Sequence, residues 1–146
     1  AIIDAPADWT RFLAKGGKVI FHSPANDYIT NSRGHERIYE TVAAKAGPAA
    51  MDKGVRFYVT PASDHGSRGL SFPDKQPQAR YMDLLPLLEA WVEQGKAPPD
   101  AVRQTLMEAT SPYAVSRQRP LCRYPAYPHY QGCDPTKMDS YACKQP

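Results

Sequence analysis

The sequence predicts an α/β architecture organised around parallel strands. Three observations carry this: two continuous apolar runs, "KVIFH" and "VRFYV"; segments of helical periodicity before, between and after them; and the resulting order helix, strand, helix, strand, helix. Strands separated by helices need right-handed crossovers and therefore run parallel. Apolar runs without polar alternation suit strands covered on both faces.

The first element is a short helix in "PADWTRFLAKGG". Pro6 suits its first turn, Trp9, Phe12 and Leu13 share a face, and Gly16 ends it. "KVIFH" follows as a strand. "RGHERIYETVAAKAG" then places Ile38, Tyr39, Val42 and Ala46 at helical spacing before Gly47-Pro48 closes it. "VRFYV" is the second strand. A long loop with Pro61, Pro73 and Pro77 leads to "MDLLPLLEAWVEQG", a helix predicted to turn Leu84, Leu88, Trp91 and Val92 inward. Asp83 is its expected cap, which puts Pro86 in the first turn. "PPDAVRQTLMEA" is predicted as one more short helix. From Ser111 onward six of 36 residues are proline and five are tyrosine, without periodicity, so an irregular tail packed on the body is expected. Two parallel strands alone make no stable sheet. The expected organisation is thus the last strands of an α/β domain over residues 1–110, with the tail over 111–146.

Composition restricts function. At 146 residues, 42% apolar and 23% charged, the chain has room for one domain with a real core. A net charge of +3 without a dense Lys/Arg cluster speaks against a nucleic-acid partner, and no apolar stretch is long enough to span a membrane. The chain opens on Ala1, which points to a processed or engineered start or a cut inside a longer protein. Cys122, Cys133 and Cys143 cluster in the tail, which suggests a disulfide, an oxidising compartment and one thiol left over. Without a second Cys/His group at ligand spacing, a zinc site is not expected.

Each apolar run ends in a polar loop. "HSPANDYITN" carries Asp27 and "TPASDHGSRG" carries His65. At the carboxyl ends of neighbouring parallel strands, such residues converge on one crevice. A carboxylate there fixes the tautomer of a histidine and stabilises its imidazolium. Acid before histidine, each after a late strand, is also the order of the α/β-hydrolases. Taken alone, however, Asp in "NDY" is an ordinary turn former and a histidine in a Gly/Ser loop an ordinary surface residue.

The stretches "GGKVIFHSPANDYI", "VRFYVTPASDHGSRG", "LLEAWVEQGKAPPDAV" and "SRQRPLCRYP" add a further signal. In this order they resemble the carboxyl-terminal third of the tannase and feruloyl esterase family, secreted α/β-hydrolases that cleave esters of aromatic acids. The resemblance covers nearly the whole chain. It implies that Asp27 is the acid and His65 the base of a Ser-His-Asp triad. The nucleophile, the oxyanion hole and a calcium-binding lid would then lie in an upstream segment, with no cofactor in this chain. It also implies a Cys122–Cys143 bridge, with Cys133 free or paired to that upstream segment, and a secreted or periplasmic location. The expected partners are an aromatic-acid ester and the upstream segment.

Three departures stand against the family pattern. Ser23-Pro24 replaces His-Gly near Asp27, Gly66 replaces a cysteine that bridges the catalytic loops, and the chain has no G-x-S-x-G; Ser67 in "HGSRG" lacks the elbow's spacing. The first two also fit another class, a non-catalytic secreted binding domain that keeps the fold. A different α/β-hydrolase, such as a peptidase, would share the strand-Asp and strand-His order but not the Arg-Pro-Leu-Cys tail. His22 is expected to be packed and hydrogen-bonded, His35 solvated, His129 and Arg68 on the surface, and the tail's tyrosines used to pack it on the body.

Overall fold

The computed structural model describes residues 8–146. Pro6, expected in the first helical turn, lies outside them. Helix α1 (Thr10–Ala14) precedes strand β1 (Val19–Pro24). Helices α2 (Ser32–Ala46) and α3 (Pro48–Gly54) follow, the second a short turn started by Pro48. Strand β2 (Val55–Thr60) pairs with β1 in parallel, Val19 opposite Val55 and Pro24 opposite Thr60. Helix α4 (Leu85–Gln94) ends at Gly95, whose φ of 69° is the left-handed stop glycine adopts without strain.

Strand β2 is the centre of the molecule, and alternation along it separates two packing faces. Val55 belongs to a cluster with Val42 and Met51, flanked by Trp9, Leu13, Ile38 and Tyr39, beneath α1 to α3. Phe57 continues that face in ring contact with Phe21, Tyr39 and Tyr124. On the other face Tyr58 packs with Val102 and Leu121, supported by Ile20, Met82, Leu84 and Leu87. Arg56 is buried in the same strand. Its guanidinium lies 5.0 Å from the centre of the Trp91 ring and donates to the carbonyls of Asp52 and Pro98. A cation thus fits an otherwise apolar strand because an aromatic face and carbonyl oxygens replace its water.

The expected helix over 98–109 is instead strand β3 (Ala101–Met107), and the expected irregular tail holds further strands. Strand β4 (Val115–Cys122) pairs antiparallel with β3, Val102 opposite Leu121. Strand β5 (Tyr127–Tyr130) pairs with β6 (Tyr141–Lys144). Val102 and Gln104 are buried while Arg103 is exposed, a period of two that a helix cannot use. The hairpin docks beside β2, where the amide of Tyr124 donates to the carbonyl of Phe57 at 2.7 Å. Cys122 and Cys143 are bridged, their Cα atoms 5.6 Å apart, and the thiol of Cys133 is exposed. In α4, Trp91 is buried as expected, but Val92 is exposed and Leu84 rather than Asp83 stands at the cap position, without a side-chain bond. No helix among the described residues is long and apolar enough to cross a membrane.

Candidate active site

Because β1 and β2 are parallel and end together, both following loops leave from one edge. The ladder runs into them: the amide of Ala25 donates to the carbonyl of Thr60 and that of Asn26 to the carbonyl of Ser63, each at 2.9 Å. This stitching sets the two loops side by side before any side chain is considered.

The first loop is built on its acid. Asp27 Oδ1 accepts from the amides of Ile29 (2.8 Å) and Thr30 (3.0 Å), the local bonding by which Asp organises a turn. Oδ2 accepts from the Thr30 hydroxyl at 2.6 Å. The buried Ser32 hydroxyl donates to the carbonyl of Ala25 at 2.7 Å and anchors the loop to the start of α2. Ser23, also buried, shares a 2.8 Å hydrogen bond with His35 Nδ1, so His35 is half-buried against β1 rather than solvated.

The second loop holds His65 at its tip. Asp64 Oδ1 accepts from the amides of Gly66 and Arg68, and the Asp64 amide donates to the carbonyl of Arg68. At the base, a Cβ on Gly69 would fall 1.9 Å from the Ala62 carbonyl oxygen, so only glycine fits that approach. Gln78 is buried there and donates to the carbonyls of Pro61 and Ala62. Arg68 is exposed and pairs with Asp64 at 3.4 Å.

The two loops meet at one bond: His65 Nδ1 lies 2.9 Å from Asp27 Oδ2. The Asp27 side chain is 3% exposed and that of His65 50%. Burial alone raises the pKa of the Asp27 carboxyl, but the Thr30 hydroxyl and amide, His65 and the Ile29 amide outweigh it and hold the carboxyl well below the usual range. An ionised carboxylate only accepts, so Nδ1 carries the proton and the lone pair of the neutral ring resides on Nε2. Such a ring can take a proton at Nε2 and return it while the carboxylate stabilises the intervening cation.

The remaining sequence-predicted residues fall elsewhere. Ser67 adopts a φ of 56° and makes no hydrogen bond to His65. His22 is half-buried as expected, its Nε2 2.8 Å from the Thr60 hydroxyl, and burial pushes its pKa down to about 4. His129, expected on the surface, is half-buried against the Tyr127 ring. Thr30 and Ser32 escaped the sequence reading; an Asp-x-x-Thr spacing inside a turn was the available signal for Thr30. No group of three or more His, Cys, Asp or Glu among the described residues is placed to hold a metal ion.

Comparison with known proteins shows what the chain as a whole is similar to. The family model described as tannase and feruloyl esterase matches residues 1–144. An uncharacterized esterase of Agrobacterium fabrum is 31% identical over 137 residues, which is 93% of this chain and 23% of that protein. A mono(2-hydroxyethyl) terephthalate hydrolase of Piscinibacter sakaiensis is 31% identical over 143 residues, 95% of this chain and 22% of its own. The crystal structure of an esterase from Aspergillus oryzae superposes with a TM-score of 0.76 at 27% identity, covering 94% of this chain and 29% of that one. The chain therefore spans about a quarter of the length of the proteins it matches.

Proposed function

The chain belongs to the tannase and feruloyl esterase family, and on that footing we propose that it supplies the acid and the base of a serine carboxylesterase acting on esters of aromatic acids. In this reading the chain is the carboxyl-terminal part of an α/β-hydrolase. Residues 1–110 belong to the catalytic domain and 111–146 pack on it, with the β3–β4 ladder as the seam. A serine from an upstream segment attacks the ester carbonyl. His65 Nε2 takes the hydroxyl proton, and the resulting imidazolium is held by Asp27. The same proton passes to the departing alcohol as the tetrahedral intermediate collapses to an acyl-enzyme. Water, deprotonated by His65, then attacks the acyl carbon, and the acid and the free serine are released. Oxyanion donors would come from the same upstream segment and supply much of the acceleration.

The observation that carries this is the 2.9 Å bond between the exposed His65 ring and the buried Asp27 carboxylate. Support comes also from the parallel register that sets the two loops together. The Cys122–Cys143 bridge supports a secreted or periplasmic location. The test is hydrolysis of an aromatic-acid methyl ester by the full-length protein. His65→Ala is expected to abolish turnover while substrate binding persists; undiminished turnover would overturn the reading. No turnover in the parent protein, despite binding of the ester, would favour the non-catalytic binding domain instead.

A further inference from the structure

A cleft of about 680 Å³ lies between the base of the His65 loop and the tail, and neither Asp27 nor His65 lines it. Its walls include Phe72, Tyr127, Tyr130, Tyr141 and His129, with Arg119 among them. Phe72 is 82% exposed in this chain, with the Lys75 ammonium 4.6 Å from the centre of its ring. The volume falls within the range of small-molecule sites.

Arg119 makes this cleft unlike an ordinary surface groove. Three arginines are buried among the described residues: Arg56, Arg117 and Arg119. Arg117 meets Asp74 at 2.6 Å, and Arg56 has Asp52 at 3.6 Å besides its carbonyls. Arg119, 8% exposed, has no carboxylate partner among the described residues. Its Nη1 donates to the neutral side chain of Gln78, and its Nε is buried without a hydrogen-bond partner. The Tyr141 ring, 5.9 Å away, offers it a weak π contact. His129 Nε2, in the same lining, is likewise buried and unpartnered. Burying a guanidinium without a counter-charge is costly, and a carboxylate is the group its planar fork fits best.

We propose that this cleft binds a monocyclic aromatic carboxylate, its ring between the Tyr and Phe side chains and its carboxylate on the Arg119 guanidinium. The site stands whether or not Asp27 and His65 are catalytic. Occupancy would be felt at the histidine loop, because Gln78 joins Arg119 to the carbonyls of Pro61 and Ala62 at the base of that loop.

Calorimetric titration of the full-length protein with 4-hydroxybenzoate, and with neutral benzamide as control, tests this. The acid is expected to saturate one site, and benzamide to bind at least about tenfold more weakly, the scale of one charge-assisted hydrogen bond. Arg119→Gln is expected to weaken the acid by a similar factor. Because Arg119 is buried and that variant can misfold, Phe72→Ala at an exposed position is the second variant, with loss of binding expected. Absence of saturable binding would overturn the proposal, as would equal binding of benzamide. Binding untouched by both Phe72→Ala and Arg119→Gln would also do so, because the ligand would then sit outside this cleft.

Discussion

Acidification is expected to loosen this fold well before its carboxylates titrate, through His22. The ring lies in β1, held neutral by burial, with a pKa pushed down to about 4 from the ordinary 6.5. The unfolded chain takes up this proton below pH 6.5, whereas the folded chain resists until about pH 4. Stability is therefore full above pH 6.5 and falls as pH drops toward 4, at about 1.4 kcal/mol per pH unit for one group. Over the 2.5 units between 6.5 and about 4 the loss amounts to roughly 3 kcal/mol. The lowered carboxyls of Asp27, Asp52, Asp64 and Asp74 act in another window: their stabilisation is complete above pH 3.8 and lost only as pH falls below it. The assay is urea denaturation at pH 7 and pH 4.5 of the protein and of His22→Phe. Phe removes the titration, while the Thr60 hydroxyl keeps its 3.1 Å bond from Gln104. The parent is expected to lose more stability than the variant over this interval, by about 2–3 kcal/mol. Parallel losses in both proteins would refute the assignment of this proton to His22.

Three further outcomes are expected. In the full-length enzyme Asp27→Asn should lower kcat by roughly 10³–10⁴-fold. Two amides fix the amide oxygen at the Oδ1 position, so the NH₂ faces His65 Nδ1 and drives the proton to Nε2; a fall below tenfold would contradict the dyad. Thr30→Val should cost about tenfold in kcat with little change in KM, since it removes the 2.6 Å bond to Oδ2 but keeps the amide bond, and Thr30→Ser should restore activity. Removing the Cys122–Cys143 bridge by a double Ala substitution should cost roughly 3 kcal/mol in the chain-entropy model for a separation of 21 residues. Unchanged melting would show that the β4–β6 packing alone holds the tail.

What could be read from the sequence divides along a physical line. β1, β2, α2 and α4 announce themselves through local pattern, because their burial follows from their own periodicity. Strand β3 does not, since "AVRQTLM" is short and ambiguous until β4 offers a partner, Val102 finding Leu121. The same holds for β4 and β5. Pro120 and Pro128 argue against strands, yet both sit in two-stranded ladders, where one edge of each strand needs no donor. His35 was misjudged because the buried hydroxyl that holds it belongs to β1, twelve residues earlier.

The candidate site was legible for the opposite reason, that its long-range contact is dictated by a regular element. In the parallel register Val19 faces Val55, an offset of 36 residues (55 − 19) that persists to Pro24 and Thr60. Asp27 lies three residues past its strand (27 − 24) and His65 five past its own (65 − 60). The two extra residues turn the offset of 36 into the separation of 38 at which the side chains meet. That excess is taken up in the turn at Pro61 and Ala62, closed by Ser63, whose carbonyl receives the Asn26 amide and whose hydroxyl donates to the Thr60 carbonyl. Deleting one residue between Thr60 and His65 should therefore separate the pair while leaving the β1–β2 ladder intact. Far-UV circular dichroism would remain unchanged while turnover in the full-length enzyme is lost. Retained turnover in such a deletion would mean that loop flexibility, rather than strand register, brings Asp27 and His65 together.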